Sequence, residues 1–235
     1  MLLCLPVEIN LEDNFMRHFL LTIILVTSCF SSVYALENTI KVTSKSIENG
    51  KPISEKYAFC KADGKGKTTN AGNLSPELSW SGFPTETKSF AIVVVDPDVP
   101  AKFDDANQDG KIIAEDFPRQ NFYHFVRIDI PSLRTFIDDA NTDKIIGKTL
   151  INDFPSFVKD KPPESFAKYD GPCPPWNDKR LHHYHFTVYA LNVTTLETKV
   201  KNAKDAISEI EKHAIAKGEL VGTYSNYYPV ATVIK

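Results

Sequence analysis

Three histidines stand within four positions of one segment, KRLHHYHF at residues 179–186. An imidazole can hold a metal ion, act as a general base or donate a hydrogen bond to an anion. The segment continues as an alternation of apolar and polar residues, HHYHFTVYAL, which predicts a β-strand. Side chains two positions apart share one face of a strand. His182 and Tyr184 therefore face one way, whereas His183 and His185 face the other, and the three rings cannot meet at one ion.

Two further segments place polar side chains beside predicted strands. SFAIVVVDPD, residues 89–98, is an apolar, β-branched run that predicts a buried strand closed by a turn at Asp96 and Pro97. Prolines make this turn stiff, so it can hold the Asp96 carboxylate at a cavity wall. FYHFVRIDIP, residues 122–131, alternates, and one predicted face consists of Phe122, His124, Val126, Ile128 and Ile130. Taken alone, Asp96 also fits a plain surface turn, and His124 also fits a structural position in a strand.

Signals in the rest of the chain favour a mainly β domain. Asn202 is of a helix-capping residue type and precedes apolar residues at helical spacing, and Gly218 stands where that helix is expected to end. The chain from Glu219 onward predicts one or two closing strands. No linker-like segment divides the sequence, and no repeat of fixed period is present. We expect a single domain over residues 36–235, with a β-sandwich-like core and a peripheral helix.

Residues 1–35 predict a leader rather than a part of the fold. MRHFLLTIILVTSCFSSVYA has a basic start, a short apolar run and a small-residue cleavage site ending at Ala35, which is typical of a signal peptide. Residues 1–15 carry acids and no base, so they are a candidate start-site artefact and Met16 a candidate true start. LVTSC also resembles a bacterial lipobox. We expect export to the periplasm or the medium, with a lipoprotein anchored at Cys29 as the alternative.

The cysteine count is consistent with export. Cleavage after Ala35 would leave Cys60 and Cys173, and a pair of cysteines in an exported protein favours one disulfide. Such a bond would contribute about 4–5 kcal/mol in the chain-entropy description, because it closes a long loop. Two buried free thiols are the alternative.

The charge balance excludes one class of partner. The chain has 27 basic and 30 acidic residues, which gives a formal net charge of −3. Nucleic-acid-binding domains normally present a basic surface to phosphates. We therefore expect no nucleic-acid partner.

Four segments, in this order, resemble one protein family. SPELSWSGFP, DPDVP, YHFVRIDIP and GPCPPWNDKRLHHYHFTVYAL are similar to stretches of the phosphatidylethanolamine-binding protein family. They are most similar to its bacterial Raf-kinase-inhibitor-like branch, which includes exported members. The resemblance implies a mainly β fold of sandwich type, with a large central antiparallel sheet, a smaller second sheet and a few peripheral helices.

The resemblance also implies the position of a small anion pocket. The polar residues of this pocket match Asp96, His124, His182 and Tyr184. Its walls match Pro100, Phe122, Gly171 and Pro172. Phe122 stands where the family usually has Trp, and His183 stands where it usually has Arg. The implied ligands are phosphate-like groups and phospholipid head groups, and relatives are also tied to the inhibition of kinases or proteases.

The residue types themselves fit an anion site. Two imidazoles and a phenol offer up to three donors to the oxygens of a phosphate or carboxylate, and a charge-assisted bond contributes about 1.5–3 kcal/mol. Because Asp96 is itself an anion, we expect it to accept an N–H of a histidine and to keep that ring oriented and cationic. Anion binding should then weaken as the pH rises through the pKa of the histidines.

The expected function is an exported, non-enzymatic binding protein for phosphate, phosphorylethanolamine or a carboxylate, with no required cofactor. Contact with a membrane is expected only through a lipid head group or a lipidated Cys29. One alternative is a protease-inhibitor or protein-interaction module in which the pocket is secondary. Two further alternatives are a weak hydrolase and a zinc site built from the same histidines, aspartate and tyrosine.

Residues 101–120 form an insertion relative to the family pattern and carry a signal of their own. DANQDGKIIAED fits a calcium loop, with a tight glycine turn among clustered oxygen ligands. The expected ligands are Asp105, Asn107, Asp109, the Lys111 carbonyl and Asp116. A solvated loop rich in Asp and Asn is the alternative. Calcium could therefore bind here and order the rim of the pocket, and under the protein-interaction alternative the insertion would be the contact surface.

Overall fold

The computed structural model describes residues 39–138, 146–196, 202–227 and 229 of the 235-residue chain. In these ranges the backbone forms ten β-strands, one α-helix and three short 3-10 helices. The strands are β1 (Lys41–Thr43), β2 (Cys60–Ala62), β3 (Thr68–Asn70), β4 (Leu78–Ser81), β5 (Ser89–Pro100), β6 (Arg119–Pro131), β7 (Phe136–Ile137), β8 (Lys148–Thr149), β9 (His182–Leu191) and β10 (Ala214–Tyr224). The helices are α1 (Ala203–His213) and the 3-10 turns Glu55–Tyr57, Phe154–Ser156 and Pro163–Phe166. The predicted leader, residues 1–35, lies outside the described residues.

The described strands form one large sheet and two smaller ones. The large sheet has the order β10-β9-β5-β6-β8, with antiparallel neighbours throughout. The smaller sheets are β1-β4-β7 and β2-β3. One face of the large sheet packs against the three-stranded sheet through Leu78 and Trp80, and the other face packs against α1 through Ala206 and Ile210. The predicted mainly β fold, with a large antiparallel sheet, a smaller sheet and a peripheral helix, is confirmed.

Strand β9 has the alternation that its sequence predicts. Its inward face contributes to the core between the sheets with Tyr184, Phe186, Val188 and Ala190. His182 is fully buried, whereas His183 and His185 are only partly buried. A regular strand between two partners keeps period 2, because each neighbour fixes its pleat.

The predicted single face of β6 is wrong, because the strand is bulged. Its pairing with β5 shifts register within the strand, and Asp129 adopts a left-handed backbone conformation with φ 58°. Val126 and Ile128 consequently pack toward α1, whereas Phe125 and Ile130 pack toward the three-stranded sheet. One extra residue reverses the alternation after it, so a period-2 pattern cannot anticipate this division.

Strand β5 continues through DPDVP, so the predicted turn at Asp96 and Pro97 is wrong. The pairing with β6 shifts register between Asp96 and Val99, and irregular pairing tolerates a proline that cannot donate to the ladder. The Asp98 N–H donates to Asp96 Oδ1 across 2.8 Å. The Asp96 carboxylate is therefore buried within the sheet instead of lying in a surface turn.

Helix α1 begins as predicted and ends early. The Asn202 side chain accepts a hydrogen bond from the Asp205 N–H across 2.9 Å, which is a standard N-terminal cap. The helix ends at His213, and Gly218 lies inside β10. A Cβ atom at Gly218 would lie 1.8 Å from the Ile40 carbonyl oxygen, so this glycine permits close approach of two chain segments. No described helix is long and apolar enough to cross a bilayer.

The predicted disulfide between Cys60 and Cys173 is present, and its two cysteines are 113 positions apart in sequence. It ties β2 to the proline-rich loop that precedes β9. The chain-entropy description assigns about 5 kcal/mol to a loop of this length. The bond therefore fixes one side of the region in which the candidate pocket lies.

Candidate functional site

A cavity of about 360 Å³ opens where β5, β6 and β9 lie side by side. Four polar side chains form the part that we call the pocket floor, namely Asp96, His124, His182 and Tyr184. The walls are mostly apolar and consist of Phe59, Val99, Phe103, Phe122, Phe154, Phe157, Val158, Cys173, Pro174 and Pro175. Ala106 and Asn107 of the insertion complete the lining. The three strands thus bring together the four polar residues that the sequence predicted.

His182 lies between two carboxylates. Its Nδ1 is 2.7 Å from Asp96 Oδ2 and its Nε2 is 3.2 Å from Asp178 Oδ2, and all three side chains are almost completely buried. Burial by itself lowers the pKa of His182, but the two carboxylates outweigh burial and raise the pKa to about 9. The ring is therefore cationic at neutral pH, and both of its N–H groups donate to the protein.

Asp178 also binds a second cation. Arg119 donates to it twice, from Nη1 to Oδ2 across 2.5 Å and from Nη2 to Oδ1 across 3.0 Å. Burial raises the pKa of Asp178, but His182 and Arg119 outweigh burial and hold the pKa below its ordinary value. Asp96, His182, Asp178 and Arg119 thus form a row of alternating charge, which we call the ion-pair row. Its formal charges cancel.

His124 has a different environment. Its Nδ1 lies 2.8 Å from the backbone carbonyl oxygen of Asp170. The Asp170 carboxylate is held in turn by the side-chain amides of Asn73 and Asn152, each across 2.9 Å. Burial lowers the pKa of His124 although Asp96 acts in the opposite direction. His124 Nε2 is buried and has no hydrogen-bond partner among the described residues.

Tyr184 lies beside His124, with ring centroids 5.2 Å apart and planes at 69°. Its hydroxyl is buried and, like His124 Nε2, has no hydrogen-bond partner in the described part of the chain. Burial first, and then the charge of the Asp96 carboxylate and its position as an acceptor near the hydroxyl, raise the pKa of Tyr184 well above its ordinary value. The phenol therefore keeps its proton and can donate a hydrogen bond to a ligand oxygen in place of Asp96.

This arrangement corrects one expectation about the site. Both ring nitrogens of His182 are engaged by carboxylates, so this ring cannot donate directly to an anion while those bonds persist. Asp96 orients a histidine as expected, and that histidine is His182. The direct ligand contacts that the floor offers are His124 Nε2 and the Tyr184 hydroxyl.

Three of the four expected wall residues lie elsewhere. Phe122 lines the cavity, whereas Pro100, Gly171 and Pro172 do not. A Cβ atom at Gly171 would lie 2.0 Å from the Tyr57 carbonyl oxygen, so Gly171 packs against backbone. The Pro172 carbonyl accepts the Phe59 N–H across 2.9 Å. These residues support the wall from behind instead of facing the ligand space.

Sequence reasoning missed most of the aromatic wall. Phe154 packs edge-on against Phe122 and at a tilt against Phe59, and Phe103 packs edge-on against Phe157. These phenylalanines come from four separate parts of the chain, so no local spacing pointed to them. Asp178 was missed as well, although its position four residues before His182 was a usable signal.

Candidate calcium ligands of the insertion, residues 101–120, already contact other groups of the protein. Lys111 and Lys67 form ion pairs with Asp105 and Asp109, each across 3.2 Å. The Asn107 side chain accepts the Trp176 N–H. Within the described ranges, no group of three or more His, Cys, Asp or Glu side chains is placed to hold a metal ion. The Asp105, Asp109 and Asp116 carboxylates therefore do not form one cluster, and calcium binding stays a prediction.

Further contacts involve the same loop. The Asn177 side chain donates to the backbone carbonyl oxygens of Asp105 and Lys111, across 2.8 Å and 3.1 Å. The Lys111 carbonyl, an expected calcium ligand, thus already accepts a hydrogen bond. Because Asn177 lies next to Asp178, these bonds connect the insertion to the ion-pair row.

Comparison with known proteins gives a consistent result. The profile of the phosphatidylethanolamine-binding protein family matches residues 43–225. The chain is 28% identical over 226 residues to the UPF0098 protein YbcL of Escherichia coli. This alignment covers 92% of this chain and 94% of that protein. It is 30% identical over 189 residues to a UPF0098 protein of Aquifex aeolicus, which covers 79% of this chain and 88% of that protein.

Solved structures agree with the sequence comparison. The crystal structure of E. coli YbcL, described as a new member of the mammalian PEBP family, matches with a TM-score of 0.60 and 28% identity, and covers 79% of this chain and 98% of that chain. The structure of a putative PEBP homologue from Chlamydia trachomatis, CT736, matches with a TM-score of 0.55 and 26% identity, and covers 80% of this chain and 98% of that chain.

Proposed function

Because the chain belongs to the phosphatidylethanolamine-binding protein family, we propose that it is a non-enzymatic binding protein for a small oxyanion. The ligand is phosphate, phosphorylethanolamine or an organic carboxylate, and the pocket floor takes its charged group. The observation that carries this proposal is the pair of buried, unpartnered polar atoms, His124 Nε2 and the Tyr184 hydroxyl, in the lining of one cavity.

Unpartnered polar atoms support binding because they cost free energy in the ligand-free protein. A buried polar group without a hydrogen bond is destabilising by about 1–3 kcal/mol. A ligand whose oxygens bond to these two atoms would remove this cost and form its own bonds. A protonated His124 and the Tyr184 hydroxyl would each donate one bond.

The charge of the floor supports a modest rather than a tight anion site. The Asp96 carboxylate would repel an anion, but its charge is compensated by His182 within the ion-pair row. The row as a whole is formally neutral, so the ligand is attracted by directed donors and not by a net positive field. Charge-assisted bonds contribute about 1.5–3 kcal/mol each.

The walls support a ligand that carries an apolar part. A cavity of about 360 Å³ lies within the usual range for sites that bind small organic molecules, about 300–1,000 Å³. Phe122, Phe154 and Phe157 line the space beside the floor. An organic phosphate or a lipid head group with its first carbons fits this combination better than a bare inorganic ion.

We also propose that the protein acts outside the cytoplasm. The leader-like pattern of residues 1–35 supports export, and a disulfide between Cys60 and Cys173 is typical of an oxidising compartment. A periplasmic or secreted protein and a lipoprotein anchored at Cys29 are both consistent with this proposal. Membrane contact would then occur through a lipid head group or through that anchor.

Isothermal titration with phosphorylethanolamine at pH 6 and pH 8 tests the binding function. We expect stronger binding at pH 6, and we expect a His124→Ala variant to lose at least about tenfold in affinity because one charge-assisted bond disappears. His183→Ala is the matched control, since His183 is partly exposed and pairs with Asp98 outside the cavity lining. Equal affinity in the wild type and the His124→Ala variant would reject the assigned site.

Absence of binding at both pH values would move the function to the alternative, contact with a protein. The exposed insertion would then be the first surface to examine, because it presents Ile112 with 58% of its surface exposed.

A further inference from the structure

The hydrogen positions on His124 follow from its neighbours. A backbone carbonyl can only accept a hydrogen bond, so the contact with the Asp170 carbonyl places the ring hydrogen on Nδ1. A neutral His124 therefore has a lone pair at Nε2, and this residue lines the cavity. Tyr184, whose ring lies beside that of His124, has a hydroxyl donor.

This tautomer is held firmly. The Asp170 side chain accepts bonds from Asn73 and Asn152, and the Asp170 N–H donates back to the His124 carbonyl across 3.2 Å. The Gly171 N–H donates to the Asn73 side chain across 2.8 Å. Rotating the His124 ring would remove its bond to a carbonyl that this network fixes in place.

Burial keeps the His124 ring neutral before a ligand binds, although three charged groups face it. Asp96 faces it from β5, His182 from β9 and Asp170 from the loop before β9. Asp96 is paired with cationic His182, and Asp170 is paired with Lys168 across 3.1 Å. Both carboxylates raise the pKa of His124, but each already has a cationic partner, and burial of the ring outweighs them.

A floor with one acceptor and one donor is complementary to an oxyacid that still carries one proton. We propose that the pocket binds a weak oxyacid and one proton as a unit, with the proton held between a ligand oxygen and His124 Nε2 and with Tyr184 donating to a second oxygen. The site thereby discriminates against strong oxyacids of the same shape and charge. This inference rests on the proposed oxyanion-binding function and specifies its ligand class.

The proton balance of binding follows directly. A phosphate monoester below its second pKa, about 6, brings the shared proton with it. Above that pH the ester is a dianion, and one proton is taken up from solvent when it binds. A sulfate monoester has no proton to bring at any ordinary pH. It must always take one up from solvent to protonate the buried His124.

Butyl phosphate and butyl sulfate therefore form a matched pair of probes. Titration calorimetry of the full chain between pH 5.5 and pH 8, in two buffers with different ionisation enthalpies, measures affinity and the number of protons taken up. For butyl phosphate we expect uptake of about one proton at pH 7.5 and about a quarter of a proton at pH 5.5, because its second pKa is about 6. Its affinity should fall about tenfold per pH unit above pH 7 and become nearly flat below pH 6.

Butyl sulfate should behave differently at the low end of this range. We expect net proton uptake at pH 6, no plateau at that pH, and affinity at least about fivefold weaker than that of butyl phosphate, since the ring must be protonated from solvent. Binding of butyl phosphate at pH 7.5 without proton uptake would overturn the inference. Equal affinity for the two esters at pH 6 would overturn it as well.

A His124→Gln variant tests which group holds the proton. The glutamine amide offers a permanent N–H donor. Butyl sulfate should therefore bind without proton uptake and with an affinity no weaker than that of butyl phosphate. His185→Gln is the control, because His185 pairs with Glu219 on the opposite face of β9 and should leave both ligands unchanged. Proton uptake that persists in His124→Gln would overturn the assignment. If this variant does not fold, the wild-type proton counts decide alone.

The experiment separates two kinds of failure. If butyl phosphate binds without proton linkage, the oxyanion-binding function stands and only the present inference fails. If neither ester binds at any pH, both fail.

Discussion

The two histidines of the pocket floor are both buried, and their surroundings give them opposite properties. His182 lies between Asp96 and Asp178, and its pKa is raised to about 9. His124 contacts a neutral backbone carbonyl at Nδ1, and its pKa is lowered. Burial opposes the charged form of both rings, so the number of carboxylates in direct contact decides the difference.

The difference shows how one floor serves two purposes. On the side of His182 every charge has a partner in the ion-pair row, and we expect the fold to depend on these pairs. On the side of His124 and Tyr184 two polar atoms are left without partners in the described structure, and this side is available to a ligand. Substitutions on the first side should therefore change stability, whereas substitutions on the second should change binding.

The largest expected effect comes from His182→Ala. Removing His182 leaves the buried Asp96 carboxylate without its cationic partner, whereas Asp178 keeps Arg119. Loss of one member of a buried ion pair typically costs about 3–5 kcal/mol. We expect the free energy of unfolding, measured by urea denaturation at pH 7, to fall by this amount. His185→Ala, on the partly exposed face of the same strand, is the control and should cost less than about 1 kcal/mol. A loss below about 1 kcal/mol in His182→Ala would mean that the row does not stabilise the fold.

The second effect is a loss of stability at alkaline pH. The pKa of His182 is about 9 in the folded protein against an ordinary value of 6.5. The stabilisation is therefore fully present below pH 6.5 and is lost as the pH rises through 9. At about 1.4 kcal/mol per pH unit, this window corresponds to about 3 kcal/mol. The free energy of unfolding of the wild type should decline over this window more steeply than that of His182→Ala, and parallel curves would contradict the assignment.

The third effect separates binding from stability on the side of His124. Tyr184→Phe removes a buried hydroxyl without a described partner, so the free energy of unfolding should stay constant or rise by up to about 1 kcal/mol. The affinity for phosphorylethanolamine should fall by about tenfold, since one donor to an anion is lost. Tyr189→Phe, on the opposite face of β9, should leave the affinity unchanged. A destabilisation above about 1 kcal/mol in Tyr184→Phe would show that the hydroxyl has a structural role.

The smallest effect concerns the insertion, in which Asp105 and Asp109 already have cationic partners, as the carboxylates of the ion-pair row do. Calcium would have to displace Lys111 and Lys67 from Asp105 and Asp109, so a dissociation constant of about 1 mM is expected, as in weak extracellular sites. At 10 mM calcium the free energy of unfolding should then rise by about 1 kcal/mol, and Asp109→Asn should abolish this gain. Magnesium is the control ion. An unchanged free energy of unfolding at 10 mM calcium would reject the calcium loop.

The fold could be predicted from sequence where local patterns are regular. The strand alternation of β9 and the Asn202 cap depend on neighbouring residues, and both are found as expected. The bulges in β6 and the continuation of β5 past Asp96 depend on how the two strands pair, which no local pattern contains. Gly218 was predicted to end the helix. A glycine is needed there because the backbone of Ile40, a distant segment, packs against it, and the local sequence does not contain this contact.

The site could be predicted in its residue types and only partly in their roles. Family resemblance located Asp96, His124, His182 and Tyr184, and the structure places all four in one cavity lining. The resemblance could not tell which histidine is free to contact a ligand, because that depends on the Asp178 carboxylate and the Asp170 carbonyl. The aromatic wall could not be predicted either, because its phenylalanines are far apart in sequence and meet only through tertiary packing.

The most direct test of the account is nitrogen NMR of the histidine rings during a phosphate titration. We expect the signal of His124 Nε2 to change from that of an unprotonated to that of a protonated, hydrogen-bonded nitrogen at saturation. The signals of the His182 ring nitrogens, which are protonated from the start, should barely move. Saturable phosphate binding with an unchanged His124 signal would contradict it, because the ligand would then be held by other groups.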